Sequence, residues 1–178
     1  MNIDLLKIYL NDHLAGATAG VELARRTLRE NRGNPVGQYY ETFVPELEED
    51  RATIEAILLA LGQPQNLVKQ GIGWAVEKLG RLKLNGRFVR YSPLSRMIEL
   101  EGLCIGSEGR LSMWRSLRSL ANKDARLGRF NFEALIARAE QQLRTLERLR
   151  QQASDEAFSD GPGSVVRLTP SHAGKGAG

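Results

Sequence analysis

Apolar residues return every three or four positions along most of this chain, the period of a helix that buries one face. From 2 to 31 the spacing predicts a first helix with Leu6, Leu10, His13, Ala17, Gly20, Ala24 and Leu28 on its inner stripe. The middle of that stripe is small, with Gly16, Ala17, Gly20 and Ala24. A helical glycine costs about 1 kcal/mol relative to alanine, and a close-packed neighbouring helix would offset that cost. Gly33 is the expected stop, with Arg29 and Arg32 complementing the helix dipole. Asn34 as N-cap and Pro35 at the first helical position open a second helix that runs to Leu61, before Gly62. Its inner stripe is Phe43, Leu47, Asp50, Ile54, Ile57 and Leu61, and Pro45 within it predicts a kink. The short gap between the two helices makes them antiparallel neighbours.

Past Pro64 a shorter helix is expected over 65–79, with Leu67, Ile72, Ala75, Val76 and Leu79 as its apolar members. From 81 to 90 the period breaks around the turn dipeptide Asn85-Gly86. An extended crossover is favoured there, because two isolated strands are marginal alone. Ser92-Pro93 caps a helix over 93–121 with Met97, Glu101, Cys104, Glu108, Leu111 and Leu117 inward. After a polar turn at 122–130 a last helix spans 131–158, with Phe132, Leu135, Ala139, Leu143, Leu146, Leu149 and Ala153 inward. Residues 159–178 are glycine-rich with little apolar matter, which predicts a disordered tail. The fold class is therefore all-α. One bundle domain covers 1–158, two helical hairpins joined by one long crossover that contains a short helix, and a flexible tail follows.

Composition narrows this only a little. The chain has 178 residues, 42% hydrophobic and 26% charged, ordinary values for a globular domain. No apolar run reaches membrane-spanning length, so membrane insertion is not expected. The N-terminus lacks the basic start and unbroken apolar stretch of a signal peptide, and Cys104 is the lone cysteine, so a cytoplasmic location is the expectation. Charge changes the picture more. Residues 77–129 hold twelve basic and five acidic groups, against seven and ten in 1–76. Lys78, Arg81, Lys83, Arg87, Arg90 and Arg96 crowd the crossover, interleaved with Phe88 and Tyr91. Such a segment suits an anionic partner, a phosphate backbone or an acidic protein.

The densest charged cluster is Glu46-Leu47-Glu48-Glu49-Asp50-Arg51, and further carboxylates fall on inner stripes at Glu101 and Glu108. Carboxylates inside a bundle are the raw material of a di-metal site, but His13 and His172 are the only histidines. His13 reads as a hydrogen-bonded core residue and Cys104 as a small buried apolar one. No phosphate loop, Ser-His-Asp set or zinc spacing is present.

Tyr9-Leu10-Asn11-Asp12-His13-Leu14 and Glu48-Glu49-Asp50-Arg51-Ala52-Thr53-Ile54-Glu55 resemble the first hairpin of small bacterial ferritin-like proteins associated with stress responses. The resemblance implies a ferritin-like four-helix bundle. It matches Ala17 to a first-helix Glu, and Glu48 and Arg51 to a Glu-x-x-His pair. In the second hairpin it matches Glu101 or Glu108, and Glu140 with Leu143 where a His would stand. An Arg offers a metal no lone pair, so Arg51 is expected to pair with Glu101 or Glu108 in place of a metal. The expectation is a non-catalytic binding or structural bundle, with no metal and no cofactor. The alternatives are a metal-binding ferritin-like protein with unusual ligands, completed by a homodimer, and an anion- or nucleic-acid-binding module using the basic crossover.

Overall fold

A computed structural model of the chain describes residues 1–65, 67, 68, 73 and 91–159. Four long helices make up most of them: α1 (Ile3–Glu30), α2 (Pro35–Ala60), α3 (Pro93–Ala121) and α4 (Phe132–Phe158). No strand occurs among the described residues. The boundaries fall within a residue of those expected because each start is chemically marked. The side chains of Asn2, Asn34, Ser92 and Asn131 all accept a backbone N–H of the first turn, and Pro35 and Pro93 follow two of them. Gly33 and Gly62 take positive φ, 86° and 83°, at the ends of α1 and α2. Helix α2 runs through Pro45, which lies on the exposed side where a missing N–H is easily tolerated. The expected short helix of 65–79 lies mostly outside the described residues, although Gln65, Leu67 and Val68 are helical. The crossover at 81–90 and residues 160–178 lie outside them altogether.

The helices form a square in which α1 packs on α2 and α3, and α4 on α3 and, most lightly, α2. Cross-contacts give the directions. Asp50 and Glu46 of α2 meet Arg138 and Gln142 of α4, so those two helices are antiparallel. Thr27 of α1 meets Glu99 of α3, and Leu23 faces Gly102, so α1 and α3 are antiparallel as well. The end of α2 and the start of α3 therefore lie at opposite ends of the bundle.

Burial divides the interior into two apolar clusters. One is built around Leu10, Leu14, Ile57, Trp114 and Leu117, the other around Val21, Tyr40, Phe43, Leu100 and Leu146. Between them lies a buried polar layer to which every helix contributes: Thr18, Asp50, Ser107, Arg110 and Gln142. The α2 stripe is the one expected. The α1 stripe is rotated from expectation, with Leu14, Thr18 and Val21 buried in place of His13, Ala17 and Gly20, which are half-buried. On α3 the buried stripe is Leu100, Leu103, Ser107, Arg110, Trp114 and Leu117, so Glu101 and Glu108 are exposed and Met97 and Cys104 half-buried. On α4 Ile136 and Gln142 replace Leu135 and Leu143, which pack against the edge of the first cluster.

Candidate functional site

Asp50 is the centre of the polar layer, only 1% exposed. An isolated carboxylate at that depth would be prohibitively costly, so its partners decide its state. Arg138 from α4 bonds Oδ1, and Arg110 from α3 brings Nε to 3.1 Å from Oδ2. Arg110, 8% exposed, also donates through Nη2 to Gln142 Oε1 at 2.6 Å and, at 3.4 Å, to Ser107 Oγ. Gln142 completes the chain by donating to Glu46 Oε2 at 2.6 Å, and Arg138 reaches Glu49 at 2.7 Å. Burial pushes the Asp50 carboxyl upward against the pull of Arg110 and Arg138. Burial also lowers Arg110, against the pull of Asp50, but from so high a starting value that the guanidinium stays charged.

A cavity of about 450 Å³ opens onto this layer between α1 and α3. Leu47, Ile54 and Met113 give it apolar walls, Asp50 and Arg110 line its depth, and Tyr9, Asp12 and His13 stand at one end. Gly16, Gly20, Gly106 and Gly109 keep it open. A Cβ placed on any of the four would meet no atom within 4 Å outside its own helical turn. The expected close packing through Gly16 and Gly20 is thus corrected, since these glycines border space instead of a neighbouring helix. His13 sets its ring edge-on to Tyr9, 4.5 Å between centroids. Burial holds its pKa below 6.5 against the opposing charge of Asp12, so it is neutral at pH 7.

The other sequence candidates lie apart. Arg51 pairs with Glu55 on its own helix, Nε to Oε1 at 3.4 Å, and not with a carboxylate of α3. That expected cross-bundle pair is corrected: the acidic member is on α2 and the basic members are on α3 and α4. Glu48 pairs with Arg25 at 2.7 Å and Glu140 with Arg115 at 2.8 Å, both near the surface, while Glu101 and Glu108 are exposed. Of the crossover cations only Arg96 is described; it donates to Asn31 at 2.7 Å and Glu156 at 2.6 Å, and Lys78, Arg81, Lys83, Arg87 and Arg90 lie outside the described residues. Cys104 is half-buried, and burial with nearby Glu147 raises its thiol to about 11, far from a reactive thiolate.

A di-metal centre of the kind the resemblance implies needs four or more carboxylate and imidazole donors converging. Among the described residues no three of His, Cys, Asp and Glu converge on one point, and both oxygens of Asp50 already face guanidinium groups. These residues do not fit a di-metal site. Sequence reading missed Arg110, Arg138 and Gln142. The usable signal was the seven-residue spacing that puts Arg110 in line with Leu103 and Leu117 on the α3 stripe.

No protein-family model matches the chain, and neither a curated protein nor a solved structure is found to be similar to it.

Proposed function

We propose that this chain is a non-catalytic, ligand-binding helical bundle of ferritin-like type, in which an Arg-Asp-Arg ion cluster stands in place of a metal centre. The observation that carries this reading is the cavity of about 450 Å³ that reaches the buried Asp50–Arg110 pair. Its volume and its apolar walls, with a few convergent polar groups, suit a small organic ligand. Its glycines support the reading. Four helical glycines sacrifice roughly 1 kcal/mol each in propensity, and the space they leave is the one evident return. The antiparallel hairpins, with α2 and α3 running the same way, support the ferritin-like assignment.

The test is binding of the neutral fluorescent probe N-phenylnaphthylamine to the full chain and to a Gly106→Leu, Gly109→Leu variant. We expect saturable fluorescence enhancement with the natural sequence and affinity about tenfold weaker or worse when leucines fill the groove. Equal enhancement with both proteins, or none with either, would overturn the reading.

A further inference from the structure

The groove differs from a purely apolar slot in the distribution of its hydrogen-bonding capacity. Oδ1 of Asp50 accepts a hydrogen bond from Arg138, while Oδ2 is buried and meets Arg110 Nε at 3.1 Å as an ion pair without hydrogen-bond geometry. Arg110 carries five N–H donors. Its Nε faces Asp50 and its Nη2 is taken by Gln142 and Ser107, which leaves the two Nη1 protons without a partner among the described residues. A molecule entering the groove is thus kept from Oδ2, which is sealed from solvent, and meets the unassigned Nη1 donors of Arg110. Of the charged groups in the layer only Asp50 and Arg110 line the groove; Glu46 and Glu49, which with Asp50 outnumber the two guanidinium groups, do not. Asp12 adds a negative charge at the rim, where it is exposed and screened by water.

We propose that the groove takes a small apolar monocarboxylate, its carboxylate on Arg110 and its hydrocarbon body along the glycine-lined wall of α1. This rests on the reading of the groove as a binding site and adds the ligand class. From Tyr9 to Gly20 that wall runs for about 16 Å at 1.5 Å per residue, which accommodates an extended chain of medium length. A charge-assisted bond from guanidinium to carboxylate is stronger than one to a neutral oxygen and is strengthened further where water is excluded. An amine would instead bring a second cation against Arg110, the guanidinium that lines the groove.

The experiment is calorimetric titration of the full chain with octanoate, octanol and octylamine, repeated on Gly106→Leu, which fills the groove and leaves every charged side chain of the ion cluster in place. We expect octanoate to bind about tenfold more tightly than either companion, and its binding to be lost in Gly106→Leu. Arg110→Lys, which keeps the charge but removes the forked donor, should bring octanoate down to the affinity of octanol. Octanol binding as well as octanoate, or octylamine binding best, would overturn the carboxylate proposal and leave the groove standing as a binding site. Octanoate binding that survives Gly106→Leu would place the acid elsewhere and overturn it too. No binding by any of the three would overturn both readings.

Discussion

A single carboxylate organises the middle of this protein. Removing only the charge of Asp50 leaves Arg110 without its counter-ion in a desolvated layer, while Arg138 keeps Glu49, and Asp50→Asn is expected to cost about 3–5 kcal/mol. Combining Asp50→Asn with Arg110→Met should recover part of that loss, because the guanidinium left without a counter-ion is then gone. Chemical denaturation of the single and double variants checks this, and strictly additive losses would mean that the pair is not coupled. Asp50 was legible in the sequence, since it falls in register between Leu47 and Ile54 on an otherwise apolar stripe. Its partners were harder to read, since an arginine on a helix ordinarily reads as solvent-facing; the spacing of Arg110 with Leu103 and Leu117 was a signal, and Arg138 had none of that kind. Cys104 shows the same residue-scale logic from the chemical side. With its thiol raised to about 11, its alkylation by iodoacetamide at pH 8 should be at least tenfold slower than that of the urea-unfolded chain. Equal rates would mean that the thiol is fully solvated.

At the scale of elements, the glycines separate into two kinds. Gly37 in the first turn of α2 lies so close to the carbonyl of Asn31 that a Cβ there would overlap it, and Gly37→Ala is expected to cost about 1–3 kcal/mol. Gly20 has open space and ordinary helical φ, so Gly20→Ala should raise stability by about 0.5–1 kcal/mol. Melting temperatures moving in opposite directions would meet both expectations; a loss at Gly20 would mean that α1 and α3 close further in solution. Periodicity found all four helices, and Asn34-Pro35 and Ser92-Pro93 marked two of their starts, because capping chemistry is local and written in adjacent residues. It misplaced the inner faces of α1 and α3 because neighbouring positions on a helix differ by only about 100°. Buried Thr18 and Thr27 added to the difficulty. Their hydroxyls bond the carbonyls of Leu14 and Leu23 within the same helix, so polar residues serve as core without betraying it in the sequence.

Across the whole molecule, a second polar cluster ties the far end of the bundle. Glu99 accepts from Thr27 and Tyr91, both through Oε2, and faces Arg26 at 3.1 Å, with Glu30 nearby. Burial raises its pKa above the ordinary carboxylate value, and the bonds from Thr27, Arg26 and Tyr91 offset this only in part. A folded-state pKa above the unfolded one means that the native protein binds the proton more readily, so stability from this group increases as pH falls through that window. The natural sequence should therefore gain stability relative to Glu99→Gln as pH falls from neutral toward the ordinary carboxylate value of 4.5. A difference that stays constant or moves the other way in urea denaturation would contradict this.

The polar layer between the two apolar clusters has one more consequence, and it concerns vertical alignment. Leucines repeating once per turn let one helix slide past another by a turn, about 5.4 Å, with little change in what is buried. A charged belt drawn from α2, α3 and α4 forbids that slide, because a displaced Asp50 would meet leucine side chains instead of guanidinium groups. A chain with Asp50, Arg110 and Arg138 all changed to leucine is expected to melt no lower than the natural one, yet to lose the dispersion of its amide NMR spectrum as several helix offsets become equivalent. The ion cluster would then act as the bundle's dowel, a pin that selects one assembly from many of similar energy.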